Sequence, residues 1–391
     1  MTALTVPDRP VTPYAQYGGY LGFALIGFLQ AVYGPVLIQL QADFAMGPSQ
    51  AGLTLTAHFS GALAGVLAYH FATFRFTDRA LLAASYLLIA AGAVGVMAAT
   101  GWETLLVCIF LTGLGAGGID FGLNQIFSLR FGNRAPMVLN ILNGMFGLGA
   151  VVAPVLVWVT GAPNYTLLFA GSAVVAVILS ITVVGIRPAP ALARTPLRPA
   201  AKLRPSFVLA GFLAVYVFHV AVETGTGSWE PTHLIWQGQS EASAAVFTSL
   251  FWGAMMAGRF AIAPISLKYR ASSILAISCA ALTATILLTA VTPVAPAAYI
   301  LLGLAIAPIF PTALPWLYRA VPAARGAGAF VIAASMIGGV AFPPLFGSVI
   351  DTVGTGWFPL FLALPAAGCL FAALRLRRFA DPRLGQDSPG A

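Results

Sequence analysis

The chain has 391 residues, of which 59% are hydrophobic and only 8% are charged, and its formal net charge is +8 at pH 7. Soluble domains carry about 25% charged residues. This composition therefore excludes a soluble domain and indicates a polytopic membrane protein. The basic excess is accounted for by the loops described below, so it gives no support to nucleic-acid binding.

Apolar segments of the length needed to cross a bilayer, about 20 residues, recur along the whole chain. Charged, polar or proline-rich positions divide them into twelve predicted spans. These spans are predicted at 17–42, 49–73, 80–100, 104–129, 136–160, 165–186, 207–233, 244–266, 272–292, 297–319, 326–350 and 357–376.

Basic residues concentrate on one side of the predicted membrane. With the N-terminus inside, every Lys and Arg except Arg259 falls in a cytoplasmic loop or terminus, as the positive-inside rule requires. We therefore expect a multi-pass protein of the cytoplasmic membrane with both termini in the cytoplasm. No signal peptide is expected, because the first 14 residues lack an h-region followed by a cleavage site. The first span would itself direct the chain to the membrane.

The first span carries polar residues on one helical face. Gln30 and Tyr33 lie one turn apart, and uncharged polar groups on one face fit either a hydrated cavity or hydrogen bonds between helices. Both interpretations stay open here. The loop after the second span contains the charged residues Arg75, Asp78 and Arg79.

Asp120 in the fourth span is the first functional candidate. A carboxylate inside a membrane costs about 2.5 to 3.5 kcal/mol on insertion scales, so Asp120 needs a partner, a proton or a function. Asn124 lies one turn further along, and Asn143 lies in the fifth span. Asp120 is predicted to titrate and couple transport to a proton. The alternative is a structural residue that pairs with Arg259 or bonds to Asn124.

A proline-rich basic segment divides the chain. Residues 187–205 contain five prolines and five basic residues, which predicts an extended cytoplasmic linker. We expect an N-terminal six-helix bundle at 1–186 and a C-terminal one at 206–391. A weak internal repeat, FGLGAVVAP against MIGGVAFPP, supports this division. The predicted fold is an all-α membrane protein with twelve transmembrane helices in two pseudo-symmetric bundles.

The seventh span holds a second polar cluster. His219 and Glu223 are one turn apart near the middle of the span, whereas Glu230 and His233 fall near its outer end, where a solvated surface is expected. No H-E-x-x-H, G-x-S-x-G or cysteine-pair motif accompanies them. We therefore predict no metal, no cofactor and no enzymatic activity.

The eighth and tenth spans complete the candidate residues. Trp252 precedes Arg259 by seven residues, and Arg259 is expected either to extend toward the inner surface or to pair with a buried carboxylate. Pro308 and Pro311 in the tenth span lack backbone N–H donors and predict a bend near a cavity.

Several short motifs carry a family resemblance. GLGAGGIDFGLNQ, LNILNGMFGLGA, ETGTGSW, FWGAMMAGR and APIFPT together resemble the major facilitator superfamily, and more closely its fucose-permease-like branch. That branch includes sugar:proton symporters and relatives of sodium-dependent glucose transporter 1. The resemblance extends over most of the chain and implies two six-helix halves that alternate access to a central solute site.

The resemblance also assigns roles to individual positions. Asp120 matches an acidic residue of helix 4 that is associated with proton coupling, and Asn143 matches an amide that faces the sugar cavity. Glu223 stands where relatives have an amide or an acid. This chain departs from the branch at Gly34, where fucose permease has a second aspartate, and at Tyr69, where the superfamily's loop motif has an acid.

The sequence thus predicts symport of a small polar solute, a hexose-like sugar, with a proton or sodium, by a monomer in the lipid bilayer. Sugars are bound by amides, acids and aromatic faces. These are supplied by Gln30, Tyr33, Asn124, Asn143, Glu223 and Trp252, with Asp120 and Glu223 as proton-coupling residues. Structural or gating roles are predicted for Arg75, Asp78, Arg79, Arg259, Pro308 and Pro311. The alternative is proton-coupled efflux of drugs or metabolites, although the antiporter signature of helix 5 is missing at Ala153 and Pro154.

Overall fold

The computed structural model describes residues 11–131, 134–187, 207–266, 268–321 and 328–380. Its helices are α1 (Pro13–Asp43), α2 (Pro48–Ala72), α3 (Asp78–Ala98), α4 (Trp102–Arg130), α5 (Ala135–Thr160), α6 (Tyr165–Thr182), α7 (Phe207–Trp236), α8 (Glu241–Ser266), α9 (Ala271–Leu288), α10 (Ala295–Ile306), α11 (Ile309–Ala320), α12 (Gly328–Val353) and α13 (Phe358–Phe379). Within these described residues, twelve segments are long and apolar enough to cross a membrane, with α10 and α11 sharing one. The predicted all-α membrane fold is confirmed.

Local sequence explains where the helices begin and end. Proline occupies the first helical turn of α1 and α2, where its missing N–H is not needed. Thr77 caps α3 by accepting a hydrogen bond from Ala80 N at 3.2 Å. α5 ends at Gly161, which has φ of 80°, a value that favours glycine. The observed bounds lie within a few residues of the predicted spans.

The helices pack in two groups. α2 and α3 pack on α4, α1 packs on α5, and α3 packs on α6, whereas α7 packs on α12 and α13, and α9 packs on α10 and α13. The two groups meet through α2 with α12, α5 with α8, and α1 with α7. Most of the predicted linker at 187–205 lies outside the described residues, so the domain boundaries stay a prediction.

Small residues allow the helix backbones to touch. A Cβ atom added to Gly117 of α4 would lie 2.0 Å from the carbonyl oxygen of Ala62 in α2. Only glycine fits such a contact, which is typical of membrane helix packing. It brings the part of α4 that carries Asp120 close to α2.

One end of the protein is closed by contacts between the two groups. We call it the predicted outer end; it is the end where α1 leads into α2 and α7 into α8. Here a Cβ atom at Gly34 would lie 2.0 Å from Gly227 O, so α1 and α7 are in backbone contact. Ser49 N donates a hydrogen bond to Asp351 Oδ2 at 2.8 Å, which joins α2 to α12. The structure is therefore closed at the predicted outer end.

Candidate functional site

A polar cluster around a buried carboxyl group lies where α1, α7 and α8 meet. We call it the Glu223 cluster, and it consists of Gln30, His219, Glu223 and Arg259. Glu223 is 7% exposed. Its Oε2 lies 3.2 Å from His219 Nε2, and its Oε1 lies 4.0 Å from Arg259 Nη2. The Gln30 side chain of α1 also faces the Glu223 carboxyl group. Because Gln30 belongs to the first group of helices and the other residues to the second, the cluster contains residues of both groups.

Helical spacing positions these side chains. His219 and Glu223 are four residues apart and therefore share a face of α7. Arg259 lies two turns after Trp252 on α8, so these two share a face as well. Trp252 is 1% exposed, and a Cβ atom at Gly227 would lie 2.8 Å from Trp252 Cζ2. The indole ring thus packs against α7 one turn beyond Glu223.

Asp120 has an uncharged hydrogen-bond partner. Asn124 Nδ2 donates to Asp120 Oδ1 at 2.9 Å and to the Asp120 carbonyl at 3.0 Å. Within the described ranges, no Lys, Arg or His forms an ion pair with Asp120. The hydrogen bond to Asn124 that the alternative interpretation required is present, whereas Arg259 lies beside Glu223.

Asn143 is an exposed residue on a face of α5 that points into the protein. Its Nδ2 donates to Leu139 O at 2.9 Å in its own helix. On α5, Gly149 contacts Ala24 of α1, and Gly147 contacts Met256 of α8. By helical geometry the Asn143 side chain lies between these two contact faces. Its exposed surface therefore faces the space between the helices and not the lipid.

Tyr33 lies within the first group of helices, and Pro308 and Pro311 lie within the second. Tyr33 is 1% exposed, and its hydroxyl lies 3.2 Å from His58 Nδ1 in α2. Pro308 is the N-cap of α11, so the tenth span is interrupted between Ile306 and Ile309. Pro311 follows in the first turn of α11 and is exposed. A gating role for these prolines stays a prediction.

Charged residues at the opposite end hold the first group of helices together. Asp78 forms an ion pair with Arg130 at the end of α4. Arg79 Nη2 donates to Val184 O at 2.5 Å and to Ile186 O at 3.2 Å. Arg75 is exposed. The role of Arg130 was missed from the sequence, although its position at the end of a predicted span, beside a charged loop, was a usable signal.

The expectation of a solvated surface at Glu230 and His233 is wrong, since both residues are 0% exposed. α7 continues to Trp236, and other helices cover its last turns. His233 Nδ1 lies 2.9 Å from the hydroxyl of Tyr299 in α10, and its ring contacts Phe358 of α13. In the part of the chain that the structure describes, no group of three His, Cys, Asp or Glu residues could hold a metal ion.

Comparisons with known proteins give a consistent result. The profile of the Major Facilitator Superfamily matches residues 19–331. A crystal structure of a D-xylose-proton symporter has a TM-score of 0.82 at 13% identity, covering 94% of this chain and 97% of that chain. The nucleoside transporter NupG (D323A mutant) gives 0.75 at 15% identity, with 92% and 99% covered. FucP in an outward conformation gives 0.65 at 18% identity, with 93% and 99% covered. No curated protein matches the sequence.

Proposed function

The chain belongs to the Major Facilitator Superfamily and is a membrane transporter rather than an enzyme, and we propose that it carries a small polar solute, a hexose-like sugar, by proton symport with alternating access. One observation carries the proposal: the Glu223 cluster brings an amide of α1 next to a carboxyl group of α7. Side chains of this kind hydrogen-bond to hydroxyl groups, and Trp252 offers an aromatic face nearby.

Alternating access requires the two groups of helices to rearrange around a site between them. A solute hydroxyl that hydrogen-bonds to both Gln30 and Glu223 would bridge α1 and α7 next to the Gly34–Gly227 contact. Solute binding would in this way favour the state that is closed at the predicted outer end. Asp120, with an amide partner and no cation paired with it among the described residues, is assigned as the proton-binding residue of this cycle.

The orientation and the division of the chain are part of the proposal. Both termini are assigned to the cytoplasm, the protein to the cytoplasmic membrane, and the halves to 1–186 and 206–391 with a linker at 187–205. Labelling of single cysteines tests this. Gly101→Cys and Gln239→Cys should react with an impermeant reagent added outside the cell, and reaction only from the cytoplasmic side would refute the orientation.

Thermal-shift measurements on the purified protein test the solute class. The panel should include hexoses, pentoses and nucleosides, because the similar structures include a D-xylose-proton symporter and a nucleoside transporter. Each compound should be measured with and without sodium. We expect a hexose to raise the melting temperature without sodium. Uptake of that sugar into proteoliposomes should then follow an imposed pH gradient. Stabilisation only by non-sugar compounds, together with their export, would instead support efflux.

A further inference from the structure

A buried carboxyl group lies at the predicted outer end, outside the Glu223 cluster. Glu230 of α7 is 0% exposed, and neither of its carboxyl oxygens has a hydrogen-bond partner among the described residues. The four other acidic residues at this end in the described residues, Asp43, Glu103, Glu241 and Asp351, are exposed. Holding an unpaired carboxylate away from water is strongly unfavourable. Glu230 therefore requires a compensating positive charge or a proton.

Two hydroxyl groups face Glu230. Thr248 of α8 and Tyr299 of α10 both face the carboxyl group. Thr248 Oγ1 donates to Ala244 O at 3.0 Å, and the Tyr299 hydroxyl lies 2.9 Å from His233 Nδ1. Since a hydroxyl has one hydrogen, Thr248 can accept a hydrogen bond from Glu230 but cannot also donate one to it. A protonated Glu230 carboxyl group can donate this hydrogen bond, whereas the carboxylate cannot.

No cationic side chain compensates Glu230 in the described ranges. The titratable groups around it are His233 on its own helix and Tyr299 on α10. The other helices packed on this part of α7 present uncharged residues, namely Gly34, Pro343, Phe346 and Phe358. Gly34, Pro343, Phe346 and Phe358 have no side-chain oxygen that could bind a metal cation. A proton therefore fits this site better than a metal cation.

The backbone of α7 gives Glu230 a route to water. Pro231 follows Glu230 and has no N–H, so Gly227 O lacks the helical donor four residues later. Gly225 and Gly227 lie in the same two turns. Proline and glycine are the usual causes of helix bending. When α1 and α7 separate at Gly34 and Gly227, the last two turns of α7 can bend at this point and expose Glu230.

We propose that Glu230 is a second proton-binding site, loaded from the predicted outer side when that end is open and occupied while it is closed. A proton from water adds to the carboxylate before closure and returns to water on reopening. The closed state thus holds one proton more than the open state, so a lower pH favours closure. This site differs from Asp120 and Glu223, and its effect does not depend on which solute is carried.

Spin-label distances across the predicted outer end test the proposal. Labels at Gln50→Cys and Thr352→Cys, two exposed positions beside the Ser49–Asp351 contact, report closure of the full-length protein without solute. The closed-to-open ratio should fall with rising pH, by up to about tenfold per pH unit for one proton. Glu230→Gln, which keeps a hydrogen-bond donor, should remain closed. It should lose the part of the pH dependence that Glu230 contributes. Glu241→Gln is the matched control and should behave like the unsubstituted protein. Unchanged pH dependence in Glu230→Gln would overturn the proposal.

Infrared spectroscopy gives a second measurement that does not depend on closure. At neutral pH the protein should show the carbonyl band of a protonated carboxylic acid. Part of this band should be missing in Glu230→Gln and retained in Glu241→Gln. An unaltered band in Glu230→Gln would contradict a protonated Glu230. A closed-to-open ratio that responds to sodium at fixed pH, and stops responding in Glu230→Gln, would show a sodium site instead and also refute the proposal.

Discussion

Two carboxyl groups inside the helical region, Asp120 and Glu223, have neighbours that fit different tasks. Asp120 has an uncharged amide partner, Asn124, so no fixed positive charge in the described residues opposes its protonation. Glu223 lies beside His219 and Arg259, and a positive neighbour favours the charged form of a carboxylate. We therefore assign proton exchange to Asp120 and solute contact to Glu223.

Asp120→Asn should separate solute movement from the proton gradient, because asparagine mimics the protonated acid and cannot release a proton. In proteoliposomes, this variant should lose accumulation driven by a pH gradient but keep exchange of labelled for unlabelled solute. Asp43→Asn is the control, since Asp43 is exposed and bonds to Gln39 at 2.7 Å; it should accumulate solute normally. If Asp120→Asn still accumulates solute with normal pH dependence, coupling lies elsewhere.

Replacing Asn143 or Glu223 by Ala should weaken solute binding. Each change removes a hydrogen-bonding group, and loss of a partner from a buried polar group costs about 1 to 3 kcal/mol, roughly a 5- to 150-fold rise in Kd. Titration calorimetry with the stabilising sugar measures the effect. Glu103→Ala, at an exposed position, should leave Kd unchanged. Normal affinity in both Ala variants would remove these residues from the binding site.

At the scale of helices, the sequence predicted more of the fold than of the site. Apolar length fixes where a membrane helix lies, so α2 and α5 begin and end within a residue of their predicted bounds. Helix ends are harder to predict. α7 continues to Trp236, and His233 in its last turns contacts Tyr299. That burial depends on packing against α10, which local composition does not encode.

Contacts between residues distant in sequence were also not predicted. The pairing of Asp78 with Arg130 spans 52 positions, and the pairing of Glu223 with Arg259 joins two helices. The sequence supplied the candidate charges and their depth in the spans. Which acid meets which base depends on how α7 and α8 are rotated about their axes. Arg259 was open to two interpretations for this reason.

The contact between α1 and α7 predicts a strong effect of one methyl group. In Gly34→Ala the new Cβ would lie 2.0 Å from Gly227 O, and overpacking of this kind typically costs about 1 to 3 kcal/mol. The two helices should separate, so Ser228→Cys, at a position 1% exposed, should be labelled faster from outside. Gly171→Ala is the control because nothing lies within 4 Å of its added Cβ. Equal labelling in the two variants would contradict a closing role for this contact.

At the scale of the whole molecule, the closed end depends on both apolar packing and one charged contact. α2 and α12 run along each other, and Thr56 Oγ1 donates to Val340 O at 2.7 Å. The only carboxylate that joins these two helices in the described residues is Asp351, bonded to Ser49 N. Ser49 lies in the first turn of α2, where the helix dipole is positive. Asp351 therefore acts as an N-terminal cap supplied by the other half of the chain.

Asp351→Ala should destabilise the closed end without unfolding the protein. An exposed carboxylate at a helix N-terminus contributes about 0.3 to 1 kcal/mol, so the closed-to-open ratio should fall by roughly two- to fivefold. Spin labels on α2 and α12 measure this ratio, and high salt should reduce the difference between the variant and the unsubstituted protein, because ions screen exposed charges. Asp351→Asn should lose the charge effect but keep part of the hydrogen bond. Its closed-to-open ratio should therefore lie between those of Asp351→Ala and the unsubstituted protein. Ser348→Ala is the neighbouring control, since its hydroxyl bonds within α12, to Pro344 O at 3.0 Å. An Asp351→Ala ratio equal to that of Ser348→Ala at low salt would show that apolar packing alone closes this end.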